Sequence, residues 1–537
     1  MTPAPTLTVL LVLAAAAPGQ SLLLGVGGAA PDGEAGRAAS GAGDLDLDGY
    51  DDVVVGAPGA GGTGAVSVHS GQDGSVLWSV AGTAPGERFG ICATGLGDVD
   101  EDGVPDVVVG SAPDDGAGGV RILSGQDGTV LRAFGGAQDG ELFGFVVDAI
   151  DDLDGDGVDD VVVGAPDWNG ETGRVAIHSG RTGAVLVSLP GSEPGARFGI
   201  AASRTGDLDG DGRDDLVVGA LQAGDQQQGD VFVYALGEGG VATELFVLTG
   251  EPNMHNGGAV SDCGDVDGDG VPDVVAGGYF WESKTGAATV YSGADGSLVH
   301  FWTGDEPGQL FGTSVTGFAD VDDDGRADVL VGSVGNAGGE GPGLVQVFCG
   351  RTGAELYRLA LGDPGAQLGL WADAAGDLDA DGTGDVVAGA PFSSAVARDG
   401  GFAVALSGSP WRDLGQGLAG TGGIPRLAGS GLPAPDAPVA LALEDAAPSS
   451  PVVFVVSATT SPVPFLGGVL VPAPTLALEG VTGADGGAVI ATPWPDLLPL
   501  TEVYVQAWAQ DGGGPAGFSA SNALQATTLA PCEPDDG

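Results

Sequence analysis

Asp44-Leu45-Asp46-Leu47-Asp48-Gly49-Tyr50-Asp51-Asp52, running straight into Val53-Val54-Val55-Gly56-Ala57-Pro58, is the stretch on which the fold turns. Its pattern has Asp at positions 1, 3, 5 and 9 and Gly at position 6. The pattern starts again at Asp98, Asp152, Asp207, Asp265, Asp320 and Asp377, at intervals of 54, 54, 55, 58, 55 and 57 residues. All seven copies keep the four aspartates and the glycine. A period of this length marks a repeat architecture, whose units bury their apolar faces only against one another.

Nine residues before each loop stands a second landmark: Phe89-Gly90, Phe143-Gly144, Phe198-Gly199 and Phe311-Gly312, weakened to Ala35-Gly36, Asn256-Gly257 and Leu368-Gly369. After each loop comes a β-branched run ending in Gly, such as Val161-Val162-Val163-Gly164-Ala165-Pro166. Short apolar runs bounded by Gly and Pro read as buried strands. An alternating strand follows (Ala65-Val66-Ser67-Val68-His69), then the turn Ser70-Gly71-Gln72-Asp73-Gly74 and a fourth strand from Val76. Four strands per repeat and seven repeats predict an all-β, seven-bladed β-propeller. The seventh repeat stops at its third strand, Phe402–Leu406, while Ser21-Leu22-Leu23-Leu24 aligns with Ser75-Val76-Leu77-Trp78. The N-terminal strand is therefore expected to complete the last blade and leave no open sheet edge.

These landmarks, in this order, resemble the FG-GAP repeats of integrin α-subunit N-terminal propellers over roughly residues 21–409. The resemblance implies a calcium-bearing seven-bladed propeller used outside the cell for binding. This chain departs from the family in one respect, since all seven of its repeats carry the aspartate loop.

Closely spaced aspartates on a tight loop can converge their carboxylates on a hard cation, and calcium takes six to eight oxygens in flexible geometry. By analogy with the EF-hand loop, positions 1, 3, 5 and 9 offer side chains and position 7 a carbonyl. The first loop offers Asp44, Asp46, Asp48, Asp52 and the carbonyl of Tyr50; the second offers Asp98, Asp100, Asp102, Asp106 and Val104. The third has Asp152, Asp154, Asp156, Asp160 and Val158, and the fourth Asp207, Asp209, Asp211, Asp215 and Arg213. The fifth has Asp265, Asp267, Asp269, Asp273 and Val271, and the sixth Asp320, Asp322, Asp324, Asp328 and Arg326. The last has Asp377, Asp379, Asp381, Asp385 and Thr383. About seven structural Ca²⁺ are expected, moving the formal net charge from −58 to −44. The competing reading of these aspartates is a set of Asx turns in solvated hairpins.

Sixteen Lys plus Arg against 74 Asp plus Glu exclude nucleic acid and disfavour anionic membranes. Gly plus Pro is about a quarter of the 537 residues, yet 43% are hydrophobic, which suits many turns between short strands and argues against disorder. No nucleophile elbow, His-Glu-x-x-His, Walker loop or dinucleotide fingerprint occurs. His69 and His178 share a repeat column with apolar residues and read as packing groups, as does His300 beside Phe301-Trp302. The expected protein is therefore a monomeric, non-enzymatic binder of an extracellular protein or carbohydrate. Its rival is a secreted propeller enzyme, a polysaccharide lyase or hydrolase or a quinoprotein-like protein. A polar cluster at the centre of one face would favour that rival.

Loops on a rigid scaffold commonly carry function. The connections on the face opposite the aspartate loops are richest at Tyr279-Phe280-Trp281, with Met254-His255 beside them and Trp168-Asn169 and Gln226-Gln227-Gln228 on the two preceding blades. Aromatics with amides suit a glycan or a protein hot spot.

Leu7 to Ala17, followed by Pro18-Gly19, reads as a secretory signal over residues 1–20, so the protein is expected outside the cell or on its surface. No later run is long enough to span a bilayer. After residue 409 the aspartate loops stop. Residues 410–437 read as a linker, 438–530 as a small β-sandwich and 531–537 as an acidic tail. Cys92, Cys263, Cys349 and Cys532 form no Cys-x-x-Cys pair; buried thiols are the plainer reading, with three pairings open.

Overall fold

The structure is a computed structural model. It describes residues 8–9, 22–237, 239–321, 324–335, 343–360, 365–380, 383–395 and 397–408, then 411–413, 418–419, 424–430, 438–457, 460–465, 468–472, 476–483, 486–493, 502–514 and 518–527. The chain divides into two compact units, one of Leu22–Asp320 and Gly325–Ser407, the other mainly of Gly408–Gly537.

The first unit is a β-propeller built from four-stranded antiparallel sheets in simple chain order. Ala38–Gly43, Asp52–Ala57, Ala65–His69 and Val76–Ala81 form one sheet; Phe89–Leu96, Asp106–Ser111, Gly119–Leu123 and Val130–Gly135 form the next. Among the described residues six sheets follow this plan, and a further five-stranded sheet sets Trp371–Ala374, Val386–Ala390, Phe402–Leu406 and Leu22–Gly27 side by side, with Thr8–Val9 at its edge. The valine runs are buried on both faces because each sheet is covered by a neighbour, which is why they read as continuous apolar stretches. One such core joins Val54, Val66 and Val68 to Phe89, Val107 and Val109 of the following sheet.

The seam follows the expectation. Leu22–Gly27 pairs antiparallel with Phe402–Leu406, with Leu24 opposite Ala405 and Val26 opposite Ala403. The core beneath holds Leu24, Val26, Val387 and Ala405 together with Val53 and Val55 of the first sheet. Each innermost strand neighbours the next, and Trp371–Ala374 neighbours Ala38–Gly43. Of the expected signal segment, only Thr8–Val9 is described, as a two-residue strand beside Val26 and Gly27. The rest of residues 1–20, and the tail 531–537, lie outside the described residues.

Both landmarks have one physical cause. The glycine ending each valine run lies against the carbonyl of the landmark glycine in the next sheet. Gly56 meets Gly90, Gly110 meets Gly144, Gly164 meets Gly199, and at the seam Gly389 meets Gly36. A Cβ there would overlap a backbone oxygen, so only glycine lets the sheets approach. The landmark phenylalanines are buried, and Phe89, Phe143, Phe198 and Phe311 each bridge to a glycine of the preceding sheet.

In the second unit a five-stranded sheet runs Trp411–Asp413, Phe518–Thr527, Glu502–Gln510, Pro451–Ser457, Leu476–Val481, and a three-stranded sheet runs Arg426–Ser430, Pro438–Glu444, Ala488–Pro493. Leu441 and Leu443 of the second share a core with Phe454, Val505 and Leu524 of the first. The expected linker therefore holds two strands. Trp411 pairs with Ala526, a partner that local composition does not reveal.

Candidate functional site

Each aspartate loop joins the first and second strands of its sheet. The position-1 carboxylate accepts the backbone N–H groups of positions 5 and 6: Asp48 and Gly49 donate to Asp44 at 3.0 and 2.9 Å, and Asp102 and Gly103 to Asp98 at 3.0 and 2.8 Å. The position-6 glycine takes φ near +90° (Gly49 +93°, Gly103 +92°, Gly270 +90°), which side-chain-bearing residues rarely adopt. The position-7 N–H donates to the position-5 carboxylate, as from Tyr50 to Asp48 at 3.0 Å and from Val271 to Asp269 at 2.8 Å.

This folding brings acids together. In each of the first five loops, three carboxylates place one oxygen each within 4.8 Å of one another. The sets are Asp44, Asp46 and Asp48; Asp98, Asp100 and Asp106; Asp152, Asp154 and Asp156; Asp207, Asp209 and Asp215; and Asp265, Asp267 and Asp269. Positions 1 and 3 are common to all five, joined by position 5 or 9. In the last two loops Asp322 and Asp381 fall outside the described residues. The donor set is oxygen only and carries several negative charges in a small volume, which fits a hard divalent cation.

Position 9 has a second task that the sequence did not disclose. Asp52, Asp106, Asp160, Asp215, Asp273, Asp328 and Asp385 are fully buried. Asp106 accepts the Val99 N–H at 2.8 Å with one oxygen and the Gly125 N–H at 3.0 Å with the other, tying its loop to the turn after the third strand. Asp52 does the same with Leu45 at 2.8 Å and Gly71 at 3.1 Å. Burial pushes Asp52, Asp106, Asp215 and Asp273 up to about 6 and Asp160 up to about 7.

A pH signature follows. A carboxyl whose folded pKa is raised holds its proton more tightly when folded, so the cation-free protein gains stability as pH falls through about 7 to 5. A cation held by these loops would compete with those protons and lose affinity over the same window. Melting temperature in chelator is expected to rise from pH 7.5 to 5, while in excess calcium it falls, the two curves converging. A chelator curve that falls with acid contradicts this.

The aromatic candidates on the other face divide. Tyr279 and Phe280 line a cavity of about 820 Å³, with ring centroids 4.8 Å apart. His255 stacks obliquely on Phe280 at 4.7 Å. Trp281 meets Phe301 edge-on, and half-buried Trp168 lies near Arg174, with Asn169 exposed in the adjoining turn. Met254 is 1% exposed and packs beneath Gly278, so it is a core residue. The histidines pack as expected: His69 is buried against Ser67, His178 stacks on Phe134, and His300 bonds the Gly350 carbonyl. Cys92, Cys263 and Cys349 are buried, and Cys532 lies outside the described residues.

Sequence reasoning missed a ring inside that cavity. Ser40, Thr94, Asp148, Ser203, Ser261, Thr316 and Asp373 each stand four residues before the first aspartate of a loop, and all line the cavity. Ser40 Oγ donates to Asp373 at 2.7 Å and lies 3.2 Å from Thr94 Oγ1; Ser203 Oγ donates to Asp148 at 2.8 Å. The signal was available as a polar column at one repeat position, flanked by small or apolar residues in five copies and followed by Arg204 and Asp262 in the other two.

Comparison with known proteins agrees with the fold and the landmarks. The family model described as FG-GAP repeat matches residues 35–69, and that described as FG-GAP-like repeat matches 152–218 and 224–331. Integrin alpha-5 of Xenopus laevis is 32% identical over 221 residues, 38% of this chain and 21% of that protein. Integrin alpha-V of Gallus gallus is 30% identical over 226 residues, 39% and 22% respectively. Integrin alpha-4 of Xenopus laevis is 30% identical over 266 residues, 46% and 25%. The matched part of the chain thus spans about a fifth to a quarter of these curated relatives. Among the described residues no helix is long and apolar enough to cross a membrane.

Proposed function

We propose that this integrin α-like FG-GAP repeat protein is an exported calcium-binding propeller that holds an extracellular protein or glycan, in adhesion. Seven blades over residues 21–409 form the scaffold, and the sandwich over 438–530 is an accessory module. The observation that carries the reading is the convergence of three carboxylate oxygens within 4.8 Å in loop after loop. Positions 1, 3, 5 and 9 would hold the ions, with the carbonyls of Tyr50, Val104, Val158, Arg213, Val271, Arg326 and Thr383 completing the sets. Calcium there supplies charge neutralisation and no reaction chemistry. The chain's own residues shape the loop through the N–H bonds to Asp44 and Asp98 and clip it to the blade through Asp52 and Asp106.

The test is surface binding of the full chain to immobilised matrix proteins and to a glycan array, with and without chelator. Saturable, calcium-dependent capture of one class is expected; indifference to every surface in calcium overturns the adhesion reading. The rival enzyme reading draws support from one feature, the carboxylates Asp148 and Asp373 that line the central cavity on different sheets. It requires turnover of a polysaccharide that Asp148→Asn abolishes.

A further inference from the structure

The central cavity carries features that the calcium loops do not use. Hydroxyls of the polar ring direct their protons onto Asp373 and Asp148, leaving lone pairs and carboxylate oxygens toward the open space. Thr316 also bonds Asp373. That ring is rich in acceptors and short of donors.

Arg37 lines the same cavity, three residues before Ser40 and therefore roughly 10 Å along an extended strand. Its guanidinium has no ion pair or side-chain hydrogen bond among the described residues, and burial pulls its pKa below the usual value. This is unexpected in a chain with 74 acids and 16 Lys plus Arg. Other arginines have taken acidic partners, as Arg197 has with Asp167 at 2.9 Å and Arg204 with Asp214 at 3.2 Å. Lys284, the single lysine, also has no carboxylate partner among the described residues; its Nζ lies 5.4 Å from the centroid of the Phe280 ring. Two cations without an ion pair among the described residues, Arg37 with Glu34 as its nearby acid, thus stand beside the wall of Tyr279 and Phe280, which Trp371 joins on the cavity lining.

We propose that the central cavity binds a short acidic saccharide, with a uronate carboxylate on Arg37, sugar faces against Tyr279, Phe280 and Trp371, and hydroxyls donating to the polar ring. The inference rests on the binding-propeller reading and names its ligand class. About 820 Å³ lies within the usual range for a ligand pocket, and the span from Arg37 to the ring suits two linked sugars. An acidic peptide would satisfy Arg37 but bring one backbone N–H per residue to the ring, against several hydroxyls per sugar. The chain's net negative charge does not forbid the ligand. The nearest opposing charges are Asp148, Asp262 and Asp373 on the same lining. Burial raises all three carboxyls, and Arg204, also on the lining, acts on Asp148 and Asp262, while exposed loop charges are damped beyond a screening length of about 8 Å.

The test is calorimetric titration of the calcium-loaded full chain with trigalacturonate, its carboxyl-reduced counterpart and triglutamate. Trigalacturonate is expected to bind at least tenfold more tightly than either of the others. Arg37→Gln should remove that preference and Arg37→Lys should keep part of it, since the lysine retains charge but not the planar fork. Both variants should melt like the parent, because Arg37 has no partner to strand. If Arg37→Gln fails to fold, Arg37→Lys and a saccharide-induced fluorescence change lost in Trp371→Phe still decide the matter. Equal binding of the reduced sugar, preference for triglutamate, no binding at millimolar concentration, or indifference to Arg37 overturns the inference. Calcium-dependent capture of a matrix protein without any saccharide response would sink the saccharide site and leave the propeller reading standing; loss of both would sink both.

Discussion

Stripping calcium is expected to lower the melting temperature by tens of degrees and to broaden the transition. The reason lies in the loops: three carboxylate oxygens within 4.8 Å repel one another when no cation stands among them. The strain does not stay local, because the buried Asp52, Asp106, Asp160, Asp273 and Asp328 connect their loops to the turn after the third strand, and Asp215 connects its loop to Leu236 near that strand's end. At calcium a hundredfold above Kd, each independent site adds about 2.7 kcal/mol; one kcal/mol moves melting by roughly 2–4 °C for 150–250 residues and by less for a larger unit such as this, so several sites together account for the shift. Calorimetry with and without chelator checks this. A melting temperature unchanged by chelator would mean that the aspartates serve only as turn formers.

Gly110→Val is the substitution with the largest expected cost, about 3 kcal/mol or more. The new side chain meets the Gly144 carbonyl of the neighbouring sheet, and backbone on both sides leaves little room to yield. Gly103→Ala is the informative control. A Cβ at Gly103 meets nothing within 4 Å, so its cost is confined to the φ of +92° and should be on the order of 1 kcal/mol. Chemical denaturation of the two variants in saturating calcium gives the comparison. Equal losses would show that close approach between sheets is not what the glycine secures.

Much of this architecture was legible because the repeat is written seven times, and each copy shows the same turn chemistry and valine run. The seam was legible too, since Leu22–Leu24 aligns with Val76–Trp78 one period on. What stayed hidden depends on closure. Asp106 looks like a fourth ligand in sequence, and its bond to Gly125 appears only when the third-strand turn folds back onto the loop. Ser40 and Asp373 are 333 residues apart and meet because the first and last innermost strands are neighbours. Met254 stood beside His255 and looked available to a ligand, whereas it fills the space under Gly278. The strands Trp411–Asp413 and Arg426–Ser430 were hidden among Gly and Pro, their pairing set by partners far along the chain.

The most direct test of the central claim is calcium stoichiometry, measured by atomic emission on protein dialysed against a buffered micromolar excess. Seven aspartate loops predict about seven ions per chain. One ion or none would contradict the account of both the loops and the charge they carry.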